Sequence, residues 1–316
     1  MDMRDIYAHE LGQLMEENFN IVAIDADLAR ANGVLRLRER FPERAIDVGV
    51  AEQNMVGVAA GLSSYGFIPF IGSFAPFATR RVADQIMISV CYARQNVKII
   101  GSDPGISAEL NGGTHMSFED IAVLRSFPNL VICEPADGEQ LRQAIRQIAL
   151  YKGPVYLRLY RKERPPLVGP EYQFDLFSAD LLREGGDVTI AASGILLSEA
   201  VDAAKLLAEE GISAEILGFH TIKPLDKTAL LRSVEKTGCL VTAENHNIIG
   251  GLRSAAAECL AEFQPAPMES VGIQDEFGEV GRFNELQKRY GLTAANIMEA
   301  ARRAISRKKT LGGKKQ

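Results

Sequence analysis

The side chains of this sequence that could do chemistry fall mostly between Asp27 and Arg161. Glu52 opens the run EQNMVGVAAGL directly after the small-residue turn Gly49-Val50-Ala51. That position puts a carboxylate at a strand-to-helix junction. Taken alone, it reads first as a helix-start acid facing the dipole. Phe74 and Phe77 bracket a proline in SFAPF, one apolar run later. His115 follows GGT at the end of a Gly-rich stretch, Asp103–Met116, that also contains Asn111. An imidazole there could donate to a developing alkoxide. Arg158 and Arg161 lie in GPVYLRLYR, where a guanidinium could grip an oxyanion with its fork. Their odd spacing sends them to opposite faces of a strand. Each has a plainer alternative: core packing for the phenylalanines, a structural histidine, a surface or linker salt bridge for either arginine. Asp27, in DADL, reads as a loop cap.

Elements that would position these residues follow from periodicity. The amino-terminal Met3–Glu17 reads as an amphipathic helix with Ile6, Leu11 and Leu14 inward. IVAID, AIDVG, IPFIGS, VKIIGS, LVICE and VYLRL read as strands, VYLRL being the last of its unit. VLRLRERF, the Glu52 run, Thr79–Tyr92, Ser117–Arg125 and Asp137–Leu150 read as helices, the last capped by Asp137. Gly57 and Gly61, four apart, would let another backbone come close. Alternating apolar strands and helices predict a parallel sheet covered on both faces. In such a sheet Glu52, Phe74 and the loop from Asp103 all fall at carboxyl ends of strands, where open α/β sheets bind ligands. The proline-rich RKERPPLVGPEY interrupts the pattern and reads as a linker. Beyond it DVTIAAS, SAEILGF, CLVTAE and MESVGI predict a second α/β unit. Its helices are Ile195–Glu210, Leu225–Lys236, Gly251–Glu262, Glu285–Tyr290 and Ala294–Ser306.

The stretch Asp47–Arg81, with GGTHMSFEDIAVLRSFPNL and GPVYLRLYR, resembles the transketolase family of thiamine diphosphate enzymes. The match runs in order from Met3 to about Ile305 and is to the carboxyl-terminal half of a split transketolase. The resemblance implies an α/β protein of two doubly wound domains with mainly parallel sheets. These would be a pyrimidine-binding domain over residues 1–165, a linker over 166–180, and a transketolase carboxyl-terminal domain over 181–316 ending in a basic tail. It implies that Glu52 holds the ring nitrogen of the cofactor's aminopyrimidine and that Phe74 and Phe77 enclose that ring. Asp27 would lie near the thiazolium end, and His115 would bond the donor's oxygen. Arg161 would anchor the substrate's far end. Two positions depart from related split transketolases: Asp103 stands where a His is usual, and Asn111 where an Asp is usual. Both are expected beside the substrate, and an acid beside a phosphate would repel it. These two departures predict a donor or acceptor other than a standard sugar phosphate of the pentose phosphate pathway.

The Gly-Asp-Gly segment with which the family holds its divalent metal is missing. A partner subunit is accordingly expected to supply the diphosphate and Mg2+ site, in an α2β2 heterotetramer, with no metal ligand on this chain. Alternatives are the beta subunit of a 2-oxo acid dehydrogenase, a deoxyxylulose-phosphate-synthase-like half, or a non-catalytic paralogue.

Composition is ordinary for a soluble globular protein: 47% hydrophobic, 24% charged, net charge −6. That balance argues against nucleic acid as the main partner. No apolar run is long enough to span a membrane. Four cysteines without short spacing read as reduced core thiols of a cytoplasmic protein. The tail RRAISRKKTLGGKKQ reads as a solvated, frayed end.

Overall fold

A computed structural model describes residues 1–312. Apolar runs become strands of three to eight residues, the central ones buried on both faces, as a sheet covered by helices requires. In the first domain these are β1 (Ile21–Asp25), β2 (Ala45–Asp47), β3 (Ile68–Phe74), β4 (Lys98–Ser102), β5 (Val131–Cys133) and β6 (Val155–Leu159). In the second they are β7 (Asp180–Arg183), β8 (Val188–Ala192), β9 (Ala214–Gly218), β10 (Thr221–Lys223), β11 (Leu240–Asn247) and β12 (Met268–Ile273). The first sheet has the order β10-β5-β6-β4-β3-β1-β2, and the second β12-β11-β8-β9-β7. All pairings are parallel except those of β10 with β5 and β7 with β9. From β1 the chain moves outward to β2, then returns past β1 to β3. The crevice between the carboxyl ends of β1 and β3 is thus the switch point at which open α/β sheets take ligands.

Several expectations need correction. VYLRL is not the last strand of its sheet: β10, from the second domain, adds antiparallel to β5 at the edge. The strand β7 begins where the linker was expected to end. Thr79–Tyr92 is no single helix. A 3-10 turn (Arg80–Val82) and a short α turn precede a π-helix over Ile86–Tyr92. Val82, Ile86 and Val90 are nonetheless buried, as their spacing predicts. The Asp103–Met116 loop contains a 3-10 segment, Gly105–Asn111, kinked at Glu109. On Met3–Glu17 the buried face is Met3, Tyr7, Leu11, Leu14 and Met15, with Ile6 only half-buried. Apart from the helix's own backbone, no described residue lies within 4 Å of where a side chain would project from Gly57 or Gly61, and both are exposed.

The basic tail is helical through Gly312. Arg302 pairs with Glu210, Arg303 and Arg307 pair with Glu269, and Lys308 donates to the carbonyls of Asp187 and Thr237. Its last four residues lie outside the described ones. One hydrophobic core runs without a break from Met3 through the first sheet to Ala304 of the second domain. Separate cores fill the opposite face of each sheet.

Candidate active site

Each element brings its functional side chain to the carboxyl edge of the first sheet. Arg38 fixes the ends of β1 and β2, bridging Asp25 at 2.7 Å and Asp47 at 2.8 Å. Asp47 also accepts the N–H groups of Asp27 (3.0 Å) and Gly49 (2.9 Å). That turn delivers Glu52 to the first position of the helix Glu52–Ser64. β3 ends at Phe74, and a single turn then presents Phe77.

Glu52 is 5% exposed, the burial its expected role requires. Its carboxylate is paired with Arg81 at 2.7 Å. The Arg81 guanidinium lies 3.8 Å from the centre of the Phe77 ring. Phe74, Phe77 and His115 form a triangle of edge-to-face contacts with ring centres 6.2, 5.7 and 5.1 Å apart. Thr114 Oγ1 hydrogen-bonds His115 Nδ1 at 3.0 Å. Arg80 steadies the same loop, donating to Glu119 (2.6 Å) and to the Thr114 carbonyl (3.3 Å). On the far side Arg161 lies over Phe74 at 5.1 Å and is ion-paired with Asp103. Residues distant in sequence thus form one continuous chain: Glu52, Arg81, Phe77, His115, Phe74, Arg161, Asp103.

Asp27 and Asn111 sit apart from this chain. Asp27 is exposed at the end of β1 with φ +60°, and its carboxylate makes no hydrogen bond among the described residues. Asn111 is exposed at the loop's tip. Asp103 does not stand free beside the substrate position. It is buried against Arg161, and burial pushes its carboxyl above the usual carboxylate range against the pull of that guanidinium. Arg158 makes no surface or linker salt bridge. It is fully buried and donates to Asp120 (2.7 Å), Glu134 (2.5 Å) and the Asn245 carbonyl (3.0 Å). His220 and His246 are buried and structural, and burial holds each near pKa 4, in the neutral form.

Sequence reasoning missed Arg81. It stands in the 3-10 turn after Phe77, past the non-helical Thr79, so no helical spacing pointed to the contact. Its planar cation donates to a buried carboxylate while covering an aromatic face. A protonated aminopyrimidine needs the same two contacts, so the residues present fit that end of thiamine diphosphate. Among the described residues, no group of three or more His, Cys, Asp and Glu side chains gathers to hold a metal ion. No described helix is long and apolar enough to cross a membrane.

This fold and site define a pyrimidine-binding half of a thiamine diphosphate enzyme. Residues 1–166 match the transketolase pyrimidine-binding domain and residues 178–297 the transketolase carboxyl-terminal domain. The chain is 54% identical to the 6-deoxy-6-sulfo-D-fructose transketolase subunit SqwH of Clostridium sp. (strain MSTE9), over 97% of this chain and 95% of that one. It is 35% identical to one of the apulose-4-phosphate transketolase subunits of Actinobacillus succinogenes, over 93% and 98% of the two chains. Among solved structures it resembles a split-gene transketolase described as an inactive beta4 tetramer. That likeness has a TM-score of 0.88 and 41% identity, covering 97% and 98% of the chains. The chain therefore belongs to the transketolase family, as a subunit of the split kind.

Proposed function

We propose that this subunit serves a transketolase whose donor is a ketose ending in a sulfonate, of the 6-deoxy-6-sulfo-D-fructose type. The observation that carries this is the Arg161–Asp103 pair. A phosphate brings a charge of about −1.5 to −2 at neutral pH. A sulfonate brings one. A guanidinium already half-satisfied by a buried carboxylate suits the single charge and disfavours the double one. The relative named for a sulfonated sugar supports the same choice.

Thiamine diphosphate, when bound, supplies the nucleophile that opens the bond between carbons two and three of the ketose. Glu52 would hold the proton on its pyrimidine ring, and Phe74 and Phe77 would enclose that ring and exclude water. His115 would donate to the oxygen on which charge develops. Arg161 would hold the sulfonate. Asp27 would border the thiazolium side and Asn111 the sugar hydroxyls.

A partner subunit would bring the diphosphate and Mg2+ site. Two copies of each would close an α2β2 heterotetramer. The face beside Glu52 supports this: Val50, Tyr65, Ile88 and Tyr92 are exposed around Gly57 and Gly61. Contiguous exposed apolar surface marks an interaction site.

The test is kcat/KM of the co-expressed pair with 6-deoxy-6-sulfo-D-fructose against fructose 6-phosphate. The sulfonate should win by about tenfold or more. Asp103→Asn, by freeing Arg161, should narrow the gap by about tenfold, or ~1.4 kcal/mol. Equal turnover of both donors by the unaltered enzyme would refute the assignment.

A further inference from the structure

We infer that Asn245, in the second domain, is a positioning residue for the substrate loop of the first. The inference rests on the reading of His115 as substrate-facing and of Asp103 as the residue that sets Arg161 against the substrate. These two residues flank a loop whose neck is closed by the Gly105 N–H donating to the Ser117 carbonyl at 3.0 Å. Asn245 is 1% exposed at the end of β11 and is inserted at that neck. Its Oδ1 accepts the Ile106 N–H at 3.0 Å, and its Nδ2 donates to the Pro104 carbonyl at 2.9 Å. The next residues continue the grip. His246 Nε2 accepts the Ala122 N–H at 3.3 Å, and the Asn247 N–H donates to the Phe118 carbonyl at 2.9 Å.

The Ile106 N–H held by Asn245 is buried and would be costly to leave unpaired, whereas the Pro104 carbonyl also accepts from the Ser107 hydroxyl. Only an amide of this length offers an acceptor and a donor side by side; a carboxylate offers acceptors alone. Gly105 has φ +61°, and a side chain there would run into the Asn245 amide. The two residues are thus fitted to one another. Asn245 is itself anchored, because its carbonyl accepts from Arg158, which is pinned by Asp120 and Glu134. A template in the second domain therefore sets where Asp103 leaves β4 and where His115 meets the aromatic pair. Glu52, Phe74 and Phe77 depart from other strand ends and do not depend on it.

The experiment uses the assembled enzyme carrying Asn245→Ala or Asn245→Asp, the second keeping the shape and the acceptor for Ile106 while setting an oxygen against the Pro104 carbonyl. Three quantities are read: hydrogen exchange of the peptide spanning 103–116, donor kcat/KM, and thiamine diphosphate affinity. A displacement of about 1 Å costs on the order of 100-fold in rate, so Asn245→Ala should lose about 10- to 100-fold in donor kcat/KM. Asn245→Asp should lose less. In both, exchange over 103–116 should quicken while cofactor Kd stays within about twofold, because the pyrimidine pocket is held elsewhere. Cofactor affinity falling in step with kcat/KM would mean general loosening and would overturn the inference. So would donor kcat/KM holding steady while exchange quickens. If His115→Ala leaves donor kinetics untouched, the substrate-facing reading of the loop fails instead. Exchange at 103–116 then still reports whether Asn245 holds it.

Discussion

At the residue scale, the pocket for the aminopyrimidine already contains a planar cation. Arg81 gives Glu52 a counter-charge and Phe77 a stacking partner, the two interactions the cofactor ring would make. Arriving ring and resident guanidinium then compete, and the ion pair must open first. Because Arg81 is 42% exposed, that pair is worth only about 1 kcal/mol after solvent screening. Arg81→Ala should therefore tighten thiamine diphosphate binding to the assembled enzyme by about three- to tenfold, measured by calorimetric titration. Weaker binding would show Arg81 to be a holder of the cofactor rather than its competitor. In a Glu52→Gln background the gain should shrink, since the pair is already gone. Legibility at this scale was uneven. Glu52, Phe74, Phe77, His115 and Arg161 were all picked from the sequence, and the structure gathers them. Arg158 was misread because the alternation VYLRL gives no hint of a charge buried on both faces. Its partners Asp120 and Glu134 lie 38 and 24 residues away, beyond any local pattern.

At the element scale, buried strands were legible because each is a continuous apolar run between turn residues. The strands β7 (DLLR) and β10 (TIK) were not. They are short and sit at sheet edges, so backbone pairing defines them rather than hydrophobic pattern. The π-helix Ile86–Tyr92 was also illegible, for an i→i+5 turn keeps nearly the same apolar spacing as an α-helix. At the end of β11, Glu244 caps the helix Leu252–Phe263, accepting the N–H groups of Leu252 (2.6 Å) and Arg253 (2.8 Å). Burial nonetheless pushes it up to about 7. Native protein thus holds this proton more tightly than the unfolded chain does. The stability so gained is complete below the ordinary glutamate value, about 4.3, and is lost as pH rises through 7. His246, held near 4, acts the opposite way from pH 6.5 down to 4, so the informative quantity is a difference between variants. Between pH 5 and 8 the unaltered protein should lose roughly 1–3 kcal/mol relative to Glu244→Gln, read from denaturant unfolding at each pH. Parallel pH profiles for the two would show that Glu244 is ionised in both states.

At the scale of the whole molecule, the two domains are one folding unit with one unfinished side. The second domain completes the first sheet through β10, shares its core, and templates its substrate loop. By contrast, the face built from Glu52–Ser64 and the π-helix leaves Tyr65, Met87, Ile88 and Tyr92 exposed. Its two exposed glycines discriminate between an idle surface and an interface. Glycine inside a helix is unfavourable by about 0.8–1 kcal/mol relative to alanine, a cost with no return in the lone chain. Apart from the helix's own backbone, no described residue lies within 4 Å of where either side chain would project. Gly57→Leu and Gly61→Leu should therefore leave the isolated subunit folded and raise its stability by up to about 1 kcal/mol each. If a partner's backbone packs against that stripe, the same side chains would hold it off. Light scattering of the mixed subunits should then show separate species, and ketol transfer should be lost although Glu52, Phe77 and His115 are untouched. Stabilised variants that still assemble and turn over normally would move the partner's seat to another face and leave the glycines without a role.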